Sequence, residues 1–396
     1  MPQLRLIIFQ FLFSLFCLNT ITAVGSDRVY VTAGGQFLVF EAGPGGKLTM
    51  RQSHDLGAAG PMVATADRRM VFVNTTTQIE LKTGSTKFVQ AASIATIQIS
   101  DDGLAAAFSR SSSGMSAGDL RLSPDEKFLA GSNYAAGQVS IWKVDSKNGF
   151  QSERTAYLDL EQCSHSARFS PDGKNLFVPA TTPNKIFQLT FDPLNGSILP
   201  NPKANFSDGP QAEAEAKQPR HLIFHPYKNI AYTTLERELP GVGVWRYNSE
   251  TGTLATIENH VSIPQGERTD GMTTADLHLS PDARFLYVSN RDIKNQNKET
   301  GQSSIAVFKV HPGTGMLASV GSFPSVHIPR SFAIDSTGHY LFAGGQGDQK
   351  LGVYKLDPNT GMGTEIGRHH LPGKPAWVLA FPPPSKKIKP TASLSR

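Results

Sequence analysis

A strand, a Ser-Pro-Asp-type turn and a second strand recur along this chain at nearly constant spacing, and that recurrence restricts the fold more than any other property. The copies read LRLSPDEKFLAGS, ARFSPDGKNLFVPA, LIFHPYKNIAYTT, LHLSPDARFLYVS and FAIDSTGHYLFAG. Their first turn residues are Ser123, Ser170, His225, Ser280 and Asp335, separated by 47, 55, 55 and 55 residues. A degenerate earlier copy, MVATADRRMVFV, has Thr65 at that place. Each hairpin is followed by another alternating segment such as QVSIWKV, KIFQLTF, VGVWRY, SIAVFKV or LGVYKL, and then by a Gly/Asn turn such as DPLNG or HPGTG. Alternation with period two and short turns specifies strands, and no long amphipathic helix competes. A unit of about 40–55 residues with about four strands is one propeller blade.

Six turn residues are visible, and both ends of the folded region also carry strand, VYVTAGGQFLVFEA and PAWVLAF. Pairing those ends in one sheet makes a seventh blade and removes the exposed edges of an open ring. The expectation is an all-β, seven-bladed β-propeller over residues 24–382, its last blade closed by strands from both chain ends. AEAEAK at 212–217 and NQNKETGQ at 295–302 are polar loop inserts.

The ends lie outside that domain. Arg5, the apolar run LIIFQFLFSLFCL and the small-residue stretch NTITAVGS have the layout of a secretory signal peptide over residues 1–23. The mature chain is expected to begin near Val24 or Ser26 and to be secreted, with no membrane association after cleavage. Residues 383–396 are expected to form a disordered basic tail. The formal net charge of +5 is matched by Arg5, Lys386, Lys387, Lys389 and Arg396 alone. The body is therefore near neutral, which argues against a nucleic-acid surface. Cys17 leaves with the signal, so Cys163 has no disulfide partner and no zinc spacing. Asn74, Asn195 and Asn205 head glycosylation sequons. A monomer is expected.

The repeat also exposes positions that it does not keep constant. Five residues before the turn residue, at the start of the first strand, the copies carry Gly118, His165, Arg220, Ala275 and Arg330. Eleven after it, past the end of the second strand, they carry Tyr134, Thr181, Glu236, Arg291 and Gln346. In a hairpin both positions lie at the same end, and a propeller gathers that end around one mouth of its channel. A structural slot would hold small or apolar residues throughout, yet this one holds mostly polar and ionisable groups. His221, Asp276 and His278 lie beside it. Arginine grips carboxylate or phosphate through paired hydrogen bonds, histidine exchanges a proton near neutrality, and a glutamate beside arginines stays ionised. The set suits a small anionic substrate that needs proton transfer.

QCSHSARFSPDGKNLFVPA, QPRHLIFHPYKNIAY, TADLHLSPDARFLYVSNR, IPRSFAIDSTGHYLFAGGQ and SNYAAGQVSIW resemble the bacterial propeller-type 6-phosphogluconolactonases. That seven-bladed lactonase family also includes fungal 3-carboxy-cis,cis-muconate lactonizing enzymes. The likeness runs from about Val29 to Phe381 and is strongest from Ser123 onward. It implies a catalytic set of His165, Arg220, Glu236 and Arg291. The repeat positions themselves add His221, Asp276, His278, Arg330 and Gln346 as expected substrate-binding neighbours. The chain departs from the family pattern at Leu235, at Asn290, in the extra serine between Cys163 and His165, and in a longer loop after Arg291.

Other motifs carry less. Gly114-Met-Ser-Ala-Gly118 matches GxSxG, but a nucleophile elbow needs a helix after it, and a strand follows here. Cys163 reads as a small buried residue of the inner strand rather than a nucleophile. His369-His370 reads as loop without a third ligand, so neither metal nor cofactor is expected. Trp142, Trp245 and Trp377 are expected to pack between blades. The leading function is metal-free hydrolysis of an anionic sugar-acid lactone by acid/base chemistry at the channel mouth. A muconate-type lactonizing cyclase and a non-catalytic binding propeller are the alternatives.

Overall fold

The turn that punctuates the sequence is built by its first side chain. In the computed structural model, which describes residues 27–80, 88–204, 218–237, 240–295 and 301–384, Ser123 Oγ donates to Asp125 and accepts the Phe128 amide at 3.1 Å. Ser170 and Ser280 repeat this, accepting the amides of Asn175 and Phe285 at 3.0 Å, and Thr65 does the same for Met70 at 3.1 Å. Asp335 substitutes a carboxylate, accepting the Tyr340 amide at 2.8 Å. Three residues past the marker the backbone turns left-handed, at Arg68, Glu126, Gly173, Ala283 and Gly338. Glycine relieves the Cβ strain of that conformation in two copies, and the others tolerate it.

Each marker joins the inner strand of a blade to its second strand. The described strands form seven four-stranded antiparallel sheets. Blade 1 begins with Ala59–Ala64 and Met70–Glu80, blade 2 with Asp119–Leu122 and Phe128–Asn133, and blade 3 with Arg168–Phe169 and Asn175–Ala180. Blade 4 begins with Pro219–Phe224 and Ile230–Leu235, blade 5 with Met272–Leu279 and Phe285–Asp292, and blade 6 with Pro329–Ile334 and Tyr340–Gly345. Blade 7 takes its inner strand, Pro375–Phe381, from one end of the chain and its other three, beginning with Arg28–Ala33, from the other end. Val31 faces Val378 and Tyr30 faces Leu379 across that junction.

The buried apolar residues form seven clusters, and each lies between two neighbouring blades. The core is therefore a ring of slabs, and every blade buries both faces. Trp142, Trp245 and Trp377 belong to the slabs between blades 1 and 2, 3 and 4, and 7 and 1. His369 and His370 end a strand, Gly363–His370, rather than sitting in a loop. Among the described residues no helix is long and apolar enough to cross a membrane.

The proposed signal peptide, the basic tail from Ser385, the AEAEAK insert and Asn205 lie outside the described residues. Asn74 corrects one sequence expectation. It is buried within Met70–Glu80 and its Oδ1 accepts the Ala117 amide at 2.8 Å, so the fold leaves no room for a glycan there. Asn195 is exposed in a turn.

The slab architecture makes the closing blade as sensitive as any other. Leu38, 1% exposed, packs with Phe342 and Leu351 between blades 6 and 7. Leu38→Ala should cost about 2–5 kcal/mol in chemical denaturation. Leu194→Ala, at a site 91% exposed, should change stability by less than about 0.5 kcal/mol.

Candidate active site

Strand register brings the two variable positions together. Thr273 faces Arg291 and Pro219 faces Leu235, so the start of each inner strand and the end of each second strand meet at one end of the channel. Neighbouring blades are stitched there. The Thr274 amide donates to Glu236 O at 3.0 Å, and Ser166 Oγ donates to Arg220 O at 2.9 Å. The positions are consequently held inside the ring rather than on an open rim. His165 is 7% exposed, Arg220 1%, Glu236 5% and Arg291 7%. All four side chains are part of the interior.

Glu236 is the hub. Its Oε1 lies 2.6 Å from Arg291 Nη2 and 3.7 Å from Arg220 Nε. Arg291 Nη2 also donates to Thr274 O at 3.0 Å, and Arg220 Nη1 donates to Ala275 O. Burial opposes the ionised carboxylate, but the Arg220 and Arg291 guanidiniums outweigh it and hold Glu236 below its ordinary range. Glu236 Oε2, Arg220 Nε and Arg291 Nε are buried without a hydrogen-bond partner among the described residues. Buried polar atoms are rarely left so unless something else fills the site.

His165 differs from the expectation that it titrates near neutrality. Burial, then the charges of Arg220, His221, Arg330 and Arg291, push its pKa well below the usual value. It is a neutral imidazole at physiological pH, with Nδ1 unpartnered. Its ring lies 5.3 Å from Tyr134, edge-on, and 5.1 Å from His221.

The remaining expected residues divide by depth. Arg330 is half-buried at the mouth, makes no side-chain hydrogen bond or ion pair among the described residues, and its charge is felt at His165. His221 lies one layer deeper, with Nδ1 3.2 Å from Asp276 Oδ1. Asp276 Oδ2 faces His278 Nε2 at 3.3 Å and accepts the Phe332 amide of blade 6 at 3.3 Å. Asp276 thus orients two histidines and joins two blades from a 2% exposed position. His278 is lower again, on the half of the inner strand nearer the turn. Gln346 Nε2 donates to Pro375 O at 3.1 Å, tying blade 6 to blade 7.

Two neighbours were passed over in the sequence. Tyr134 occupies the second variable slot, and burial followed by Cys163 pushes its phenol up. Its slot was the available signal. Trp377 reaches beyond its slab, stacking on His221 with centroids 5.7 Å apart, and nothing in its local sequence marks that contact. Cys163 is half-buried, outside the inner strand and at positive φ, so it is not the packed strand residue expected. Ser116 is exposed and no helix follows it. Among the described residues no three His, Cys, Asp or Glu side chains are grouped to hold a metal ion.

The buried histidines set a pH dependence. Burial, then Arg220, brings the His221 pKa down to about 4 against 6.5 when free, although Asp276 opposes the shift. Between those values an unfolded His221 takes up a proton that the folded ring refuses, so the fold weakens as pH falls through that window. The melting midpoint should drop from about pH 6.5 to 4, and His221→Gln should make the drop shallower. An unchanged slope in that variant would remove His221 from the account.

The Lactonase, 7-bladed beta-propeller family model matches residues 26–380. The 6-phosphogluconolactonase of Cronobacter sakazakii is 30% identical over 348 residues, covering 87% of this chain and 94% of that protein. The 6-phosphogluconolactonase of Enterobacter sp. (strain 638) is 28% identical over 348 residues, covering 87% and 95%. Among solved structures, a periplasmic gluconolactonase of Pseudomonas aeruginosa superposes with a TM-score of 0.71 at 21% identity, covering 90% of this chain and 99% of that one. With blades, closure and match all spanning the described region, this chain belongs to the seven-bladed β-propeller lactonase family.

Proposed function

We propose that this protein is an exported, metal-free lactonase that hydrolyses a sugar-acid lactone bearing an anionic group. The observation that carries the reading is the Glu236 hub. One carboxylate engages two guanidiniums, each with a buried Nε lacking a hydrogen-bond partner, close enough to His165 that their charges help keep it neutral. The relatives named as 6-phosphogluconolactonases support the substrate class, and the periplasmic gluconolactonase supports export.

In the proposed reaction the ring carbonyl lies against the unpartnered Nε–H groups of Arg220 and Arg291. His165 accepts a proton from water as the water oxygen attacks that carbonyl. The tetrahedral oxyanion develops beside the two guanidiniums, whose charge stabilises it. Collapse breaks the bond to the ring oxygen, which takes the proton back from His165. The product is an open hydroxy acid, which ionises in solvent. Glu236 fixes the two arginines and keeps their combined charge at one unit. That neutralisation leaves Arg330 as the better tether for a remote phosphate or carboxylate.

A depressed histidine pKa leaves the base available across the neutral range. Turnover should therefore stay flat from about pH 8 to 6.5 and fall only in acid, as His165 becomes protonated. A fall beginning near pH 7 would contradict the assignment.

Substitutions should separate the roles. His165→Ala should lower kcat by about 100- to 10,000-fold. Arg330→Ala should raise KM by about 10- to 100-fold for a phosphorylated lactone and leave a neutral lactone nearly unaffected. Chelator should change neither value. Screening the purified protein against phosphorylated and neutral lactones, with a muconate as the cyclase control, tests the reading. Turnover of the muconate alone, or of none, would overturn it.

A further inference from the structure

Below the site, the channel carries a second basic group that the proposed reaction does not use. Two residues before the turn marker, Arg121, Arg168 and His278 stand at equivalent places on the inner strands of blades 2, 3 and 5. Arg121 is neutralised, its Nη2 3.1 Å from Asp119 Oδ1. His278 faces Asp276. Arg168 has no such partner. Its Nε donates to Leu222 O at 2.8 Å, and no acceptor among the described residues takes its two terminal nitrogens. Burial, then repulsion from Arg121, brings its pKa down to about 9, so it still carries its charge at neutrality.

Asp119 and Asp276 favour the Arg168 charge from a distance, but neither forms an ion pair with it, so its terminal fork is available to an anion. Leu222 O satisfies one donor and none of the charge. The same level of the channel is otherwise apolar, with Ile223 and Leu379 half-exposed. Between this level and the mouth, the His221–Trp377 stack crosses from blade 4 to blade 7, and the Arg121 guanidinium lies 5.3 Å from a Trp377 ring centroid. Trp377 is 6% exposed and His221 2%, so both rings are packed inside the ring of blades.

We propose that the lower half of the channel is a second ligand site, distinct from the lactone site, in which the Arg168 fork holds a small carboxylate whose short apolar tail lies against Ile223 and Leu379. A carboxylate matches the two free terminal nitrogens in geometry and charge. A bare inorganic anion would leave the apolar side of the level in water.

Butyrate is the probe. Calorimetric titration of the purified protein in low-chloride buffer should give one saturable event with a dissociation constant of about 1–10 mM. Arg168→Gln should weaken it by about 10- to 100-fold, while Arg330→Ala should leave it unchanged and butyrate should not compete with the lactone. Should Arg168→Gln not fold, nuclear Overhauser contacts from the butyrate methyl to Ile223 and Leu379 in the unaltered protein decide the matter. No saturable binding overturns the site. So does binding lost in Arg330→Ala but kept in Arg168→Gln, since that places the anion at the mouth. Apart from the competition control, none of these readouts depends on lactone binding or turnover, so the lower site and the lactonase reading stand or fall separately.

Discussion

The pairing of Arg28–Ala33 with Pro375–Phe381 is the constraint on which the rest depends. A ring of slabs has no central core to fall back on. Each blade is stable because a neighbour covers each face, and an unclosed ring would leave two blades half-covered and two strand edges unpaired. Closure is also what makes the channel a defined space. Residues at matching places on seven inner strands converge only when the last blade completes the circle, so Trp377, from one chain end, can meet His221 from the opposite side.

Inside that circle, electrostatics decides what the side chains can do. Glu236 alone would resist ionisation, because burial disfavours its charge. Arg220 and Arg291 reverse that, and the carboxylate in turn makes two buried guanidiniums tolerable. His165, with no carboxylate of its own and cations around it, is left neutral. His221, with Asp276 beside it, is also pushed down, since burial and Arg220 outweigh the aspartate. His165 thus keeps an unpartnered Nδ1 at the mouth, while His221 below it lies 3.2 Å from Asp276 and stacks on Trp377. Arg220 and Arg291 each keep a buried Nε without a hydrogen-bond partner among the described residues, while backbone carbonyls of blade 5 hold their terminal nitrogens.

Much of the mouth could be found from repeat offsets, because the turn marker fixes strand register and register fixes which residues share an end. His165, Arg220, Glu236 and Arg291 stand out as polar departures in a slot whose other copies include glycine and alanine. Depth was not legible in the same way. Arg220 reads as a rim residue but is nearly sealed, since hydrogen bonds between blades draw its strand start inward. Asp276 and His278 read as neighbours of the slot and occupy lower layers, because successive strand residues step down the channel as well as alternating in direction. Asn74 heads a sequon in the sequence and is a buried acceptor in the fold.

What the sequence by itself determined is the unit: its length, the hydroxyl or carboxylate that builds each turn, the alternation that buries both faces, and the end of each hairpin where ionisable residues gather. These are local, since a turn and a two-residue period involve contacts within a few residues. The tertiary structure alone decided which charges neutralise one another. Glu236 and Arg291 are on different blades, as are His221 and Asp276, Trp377 and Arg121, and no local rule states which of several arginines a glutamate will find. Arg330 and Arg168 form no ion pair among the described residues for the same reason. The distances that pair or isolate a charge are set across the channel, by the closing of the ring.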